Sequence, residues 1–122
     1  MTTLIAERTR TTTGVLWALT IGSAAMFLMA GISKLAGVPM MVQMFGVIGA
    51  GQWFRYATGA VEVSGAVLLL IPAVAAYAGL ALAATMVGAI LTHLFIDGGS
   101  PAVPISLLAT TLTIAWARRS GR

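Results

Sequence analysis

Apolar residues run almost without interruption through four stretches of the chain, divided by short polar or turn-forming segments. The first thirteen residues, MTTLIAERTRTTT, are polar and rich in threonine, and they read as a tail. Gly14 to Ser33 then carries no charge over 20 residues, which is enough for a helix to cross the hydrocarbon core of a bilayer. That run is longer than a secretory signal core, so it is expected to be retained as a first span. The second stretch begins near Phe54 and ends at Pro72, the third runs from Ala73 to Ile96, and the fourth from Ala102 to Ala117. Pro72 has no amide proton and disfavours helical backbone at Ile71, which predicts a tight helical hairpin between the second and third stretches. DGGSP at 97–101 predicts the next turn, with Ser100 as a cap and Pro101 presetting the first turn of the last helix. The fold class expected is all-α: one transmembrane domain over 1–122, a four-helix bundle with spans at about 14–33, 54–71, 73–96 and 102–117. A transmembrane barrel would instead need alternating segments of about 10 residues.

Residues 34–53, KLAGVPMMVQMFGVIGAGQW, form the single long connection, and it is not hydrophilic. Pro39 is placed to start a short helix, MMVQMFGVI, lying in the interface or folded back on the bundle, with Gly46, Gly49 and Gly51 ending it before Trp53. Two readings stay open for it, a plain cover and a functional lid. Small residues recur every four positions, at Gly14, Ala18 and Gly22 and again at Ala75, Gly79 and Ala83. Such stripes let helices approach closely in lipid, and packing within the bundle is expected ahead of dimer formation.

Composition agrees with this picture. With 59% apolar and only 8% charged side chains, the chain is far from the roughly 25% charge of a soluble domain. Mean hydropathy is +0.99. The absence of cysteine removes disulfides, thiolate metal sites and thiol exchange, so any redox role needs a bound molecule or a partner. A single histidine rules out two-His haem ligation within one subunit, and the seven methionines read as packing residues. The net charge of +4 suggests nucleic-acid binding only until the charges are located. Arg8, Arg10, Arg118, Arg119 and Arg122 lie on the side of the tails, offset by Glu7, while Lys34 and Arg55 on the other side are balanced by Glu62 and Asp97. The positive-inside rule then places both termini in the cytoplasm, as an integral protein of the cell membrane.

Charges within apolar stretches are the candidate chemistry, because one placed in hydrocarbon costs about 2.5–3.5 kcal/mol on insertion scales. Glu62 lies eight residues past Phe54, or about 12 Å along a helix. Lys34 ends the first span on the same side, and His93 and Asp97 close the third at a spacing of i and i+4. That spacing lets the carboxylate accept a ring N–H and set the imidazole tautomer. Arg55, Thr58 or Gly59, and Glu62 share one helix face, as do Phe27, Ala30, Gly31 and Lys34. A polar pocket toward the outer leaflet is the expected assembly. Each residue also has a purely structural reading: Lys34 snorkelling, Glu62 pairing to set helix register, His93 packing through a hydrogen bond, Asp97 forming a turn. Trp53, Phe54 and Tyr56 suit an aromatic belt, with Trp53 also a candidate for stacking on a ligand. Ser106, Thr110 and Thr113 suit hydrogen bonding between helices or to their own backbone. No metal is expected, since Lys34 and Arg55 would repel a cation from the nearby His and acids.

FLMAGISKL at 27–35, WFRYATGAVEVSGAVLLLIP at 53–72 and THLF at 92–95 resemble the DoxX-like family of small four-helix membrane proteins. The most specific shared residues are Gly31, Lys34, Gly59, Glu62 and His93. That resemblance implies an accessory subunit of a quinone-connected membrane redox system. Glu62 and His93 would then exchange protons, Lys34 or Arg55 would stabilise an oxyanion, and Asp97 and Trp53 would complete the ligand site. The ligand expected is a quinone or similar amphipathic molecule, with no covalent cofactor. Expected partners are the lipid bilayer, other membrane subunits or further copies of the chain, and no nucleic acid. Two other functions stay open: an assembly or stability partner of a larger membrane complex, and a proton-coupled exporter. Small exporters of similar length carry their membrane acid in the first span and have tight loops, unlike this chain.

Overall fold

The computed structural model describes residues 2–119, with side chains described from Arg10 to Arg119. Helix α1 (Thr2–Ala36) is followed by the short α2 (Pro39–Ile48), then α3 (Gln52–Leu69) and α4 (Ala75–Thr92). Helix α4 runs on into a π-helical turn, His93–Asp97, and α5 (Ala102–Arg118) ends the described fold. No strand occurs among the described residues. The expected polar tail is corrected here, because its described residues continue α1 to a length of 35 residues, about 52 Å. Threonine and arginine side chains do not interrupt a helix, and neither proline nor a turn-forming pair precedes Gly14. Arg122 and the side chains of Glu7 and Arg8, used above for orientation, lie outside the described residues.

Helix α1 packs on α3, α3 on α4 and α4 on α5, and α5 returns to α1, so the four long helices close on one another. Each turns a stripe inward at helical spacing: Thr20, Ser23, Ala24, Phe27 and Gly31 on α1, and Arg55, Gly59, Glu62, Ala66 and Leu69 on α3. Phe27, Leu69, Leu82 and Ile114 are fully buried and form the centre of the core with Ala24, Ala66, Ala78 and Met86. Large apolar residues cover the outside, among them Ile21, Met29, Ile32, Leu80, Leu91 and Ile105. Exposing so much apolar surface to water is unfavourable, whereas hydrocarbon solvates it. Two stretches, Arg10–Ala36 and Ala75–Asp97, are long and apolar enough to cross a membrane. Helix α3 carries Arg55 and Glu62, and α5 is shorter, at 17 residues.

The connections follow their turn residues. Leu70 to Val74 form an all-apolar hairpin around Pro72, and α4 begins two residues later than expected, at Ala75. The Ser100 hydroxyl accepts the Ala102 N–H at 3.3 Å, but Pro101 and not Ser100 holds the cap position and no side chain caps it, which corrects the expectation of a Ser100 cap with Pro101 inside the first turn. Pro39 starts α2 as expected, and Gly49 ends it in left-handed backbone at φ 83°. Helix α2 lies against α3, α1 and the π-helical turn, and Phe45 is its buried anchor, meeting Phe54 edge to face at 5.7 Å.

The two small-residue stripes separate. Gly79 on α4 faces the Thr111 carbonyl and Ala115, so a methyl added there would lie 3.0 Å from that oxygen. Gly14, Ala18 and Gly22 are exposed instead, with nothing within 4 Å of either glycine's added methyl, which corrects the expectation that this stripe packs inside the bundle. Helix α1 uses the face with Phe27 and Gly31 for packing, and the stripe lies on another side. Ser106, Thr110 and Thr113 each donate to the carbonyl four residues earlier on α5, at 3.0, 2.9 and 2.8 Å, so they serve their own backbone.

Candidate functional site

Helices α1 and α3 touch backbone to backbone where two glycines meet. A methyl on Gly31 would stand 2.7 Å from Val63 Cγ2 and 2.9 Å from the Gly59 carbonyl. One on Gly59 would stand 3.0 Å from the Gly31 carbonyl and from Lys34 Cβ. Lys34 and Glu62 each lie three residues beyond these glycines, so close contact of the backbones brings their side chains together. Lys34 Nζ lies 2.7 Å from Glu62 Oε1, with the side chains 12% and 1% exposed. The second carboxylate oxygen, Oε2, is buried and has no hydrogen-bond partner among the described residues.

Arg55 is buried on the same face of α3, one helical turn before Gly59. Its Nε donates to Gln52 Oε1 at 2.7 Å, its Nη1 donates to the Lys34 carbonyl, and its guanidinium lies 4.3 Å over the Tyr56 ring. Arg55 therefore adds a second donor at the C-terminal end of α1, where the Lys34 carbonyl also accepts the Gly37 N–H at 3.3 Å. Gln52 was not legible as a site residue. Its Nε2 donates to the Val42 carbonyl at 3.1 Å, so one side chain ties α2, α3 and Arg55 together. Its spacing of three from Arg55 is the trace left in the sequence.

His93 and Asp97 pair as their spacing predicts, with Nδ1 and Oδ1 2.9 Å apart. Asp97 also accepts the Gly99 N–H at 2.8 Å. An ionised carboxylate can only accept, so Nδ1 carries a proton here, and in the neutral ring Nε2 is the acceptor. Gly98 ends the turn at φ 71°, and a methyl on Gly99 would lie 2.8 Å from His93 Nδ1, so this turn needs both glycines. A single π-helical turn of this kind is a frequent feature of functional sites.

The site residues thus form two groups at the same end of the bundle: Lys34, Glu62 and Arg55 between α1 and α3, and His93 with Asp97 at the end of α4. Among the described residues no hydrogen bond or ion pair joins Glu62 to His93. Trp53 belongs to neither group. It is 66% exposed at the start of α3, with its indole N–H on the Ala50 carbonyl at 2.8 Å. A groove of about 510 Å³ opens elsewhere, between α3 and α4, lined by Val61, Gly65, Leu68, Tyr77 and Ala78 among others and by none of the site residues. No group of three metal-ligating side chains occurs among the described residues.

An all-helical, membrane-compatible protein with a buried lysine–glutamate pair between two glycine-packed helices is the class this geometry defines. The chain belongs to the DoxX-like family, whose family model matches residues 18–117. The match takes in both glycines, the ion pair and the π-helical turn. No curated protein and no solved structure matches the chain.

Proposed function

We propose that this chain is a four-span protein of the cell membrane, both termini cytoplasmic, acting as an accessory, quinone-interacting subunit of a membrane redox system. The observation that supports the reading is Glu62, buried between α1 and α3 with one oxygen on Lys34 and the other without a partner among the described residues. An unsatisfied acceptor in a low-dielectric interior is costly, and a proton or a hydroxyl donor removes that cost. Reduction of a quinone to its quinol consumes two protons and two electrons. Glu62 and His93 Nε2 exchange the protons, and the Lys34 ammonium stabilises the oxyanion that forms when electrons arrive first. Arg55 is engaged with Gln52 and the end of α1, so the electrostatic role falls to Lys34. The electrons come from a partner, because a chain without cysteine carries no thiolate-held cluster.

Extraction of lipids and quinones from protein purified from its native membrane tests this. Quinone should accompany the wild type and be lost from Glu62→Gln. A wild type free of quinone, together with unchanged quinone-dependent activity in Glu62→Gln, would sink the reading. A second reading, assembly partner of a larger membrane complex, is favoured by the exposed Gly14, Ala18 and Gly22 face, which is free to receive another helix. Under that reading Lys34 and Glu62 only fix helix register. Lys34→Met with Glu62→Leu would then leave quinone content and activity untouched, and a client would co-purify in mild detergent.

A further inference from the structure

The end of the bundle opposite the lysine–glutamate pair also gathers positive charge, and there no described side chain carries an opposing one. Arg118 at the end of α5 places its guanidinium 5.1 Å over the Trp17 ring of α1. Arg119 stacks 3.8 Å from the Trp116 ring and donates to the Trp116 carbonyl. Arg10 stands seven residues before Trp17, on the same side of α1 and about 10 Å along it. The acids among the described side chains are Glu62 and Asp97, and both are taken up at the other end. Glu7 stands three residues before Arg10, and its side chain lies outside the described residues. Arg118 Nη2 is buried without a hydrogen-bond partner among the described residues, so the guanidinium has lost part of its hydration and no described carboxylate replaces it. Stacking on indole offsets only part of that loss.

We infer that Arg118, Arg119 and Arg10, with the indoles of Trp17 and Trp116, form a site for the phosphate of an anionic phospholipid headgroup. Guanidinium groups match phosphate oxygens in charge and in geometry, and Trp rings favour the depth at which headgroups lie. The surroundings favour a lipid over free phosphate. Val15, Leu19 and Leu112 are exposed on the same two helices near the arginines, where acyl chains cover apolar surface that an inorganic ion would leave bare.

The full-length protein, reconstituted with phosphatidylglycerol and phosphatidylcholine in equal amounts and released into mild detergent, would be examined by native mass spectrometry. Phosphatidylglycerol should be retained over phosphatidylcholine, and retention should fall about fivefold for each of Arg118→Gln and Arg119→Gln. Arg118→Lys should keep part of it, since charge remains while the planar fork is lost. Retention by the wild type should also weaken with added salt, a measurement that needs no variant to fold. Equal retention of both lipids, undiminished retention in Arg118→Gln, indifference to salt, or displacement of the lipid by millimolar inorganic phosphate alone would each overturn the assignment.

Discussion

The two ends of this bundle handle positive charge in opposite ways. At the end carrying α2, each described cation has a protein partner: Lys34 on Glu62, Arg55 on Gln52 and the Lys34 carbonyl, and His93 on Asp97. At the tail end, Arg118 and Arg119 lie over Trp17 and Trp116 and face no described acid. The difference is one of depth. Lys34 and Glu62 sit between packed helices, where an unpaired charge is costly, so the sequence supplies the counter-charge. The tail-end arginines lie beyond the apolar runs, where they stack on indole rings instead of pairing with a described acid.

The largest effect that sharpens this contrast is expected at the pair itself. Glu62→Leu or Lys34→Met alone leaves one buried charge and should destabilise the protein by about 3–5 kcal/mol, while the double variant recovers most of that loss. Thermal unfolding in detergent measures it, and single and double variants of equal stability would show that the two charges are not coupled. Next comes the crossing that holds the pair. Gly31→Ala should cost about 1–3 kcal/mol, because its new methyl meets Val63 and the Gly59 carbonyl, and it should loosen the ion pair as well. Gly22→Ala, with open space around it, should be neutral or stabilising by up to about 1 kcal/mol through helix propensity. Equal losses in the two would mean that α1 packs through a different face.

At the tail end, Trp17→Ala removes the ring beneath Arg118 together with its apolar contact. The stacking accounts for about 0.5–2 kcal/mol. A loss matching that of Glu62→Leu would erase the distinction between the ends. The smallest change is Thr113→Val on the outer face of α5, where the hydroxyl serves only its own helix; it should stay within about 0.5 kcal/mol by the same unfolding measurement.

Much of the site was legible because its elements are local. His93 and Asp97 are four residues apart on one helix, so their pairing follows from helical geometry. Gly31 with Lys34, and Gly59 with Glu62, each fall at a spacing of three, which marks both faces before any coordinates exist. The role of Arg55 was not legible. Its acceptor is a backbone carbonyl 21 residues away, and no side-chain pattern announces a contact to a helix end. The stacking of Arg118 on Trp17 was hidden for the same reason, since the partners lie on the first and last helices.

Four apolar runs, their turns and the rarity of charge by themselves determine a helical chain suited to lipid, because hydropathy and chain breaks are properties of consecutive residues. Which side of each helix faces inward was a tertiary decision. In water the apolar face marks the interior, but in lipid both faces are apolar and hydropathy loses that information. Gly14, Ala18 and Gly22 look as well suited to packing as Ala75, Gly79 and Ala83, yet only the second set has a neighbour within reach. Shape and the few buried polar groups choose the face: Gly31 against Gly59, Thr20 and Thr111 inward, Lys34 against Glu62.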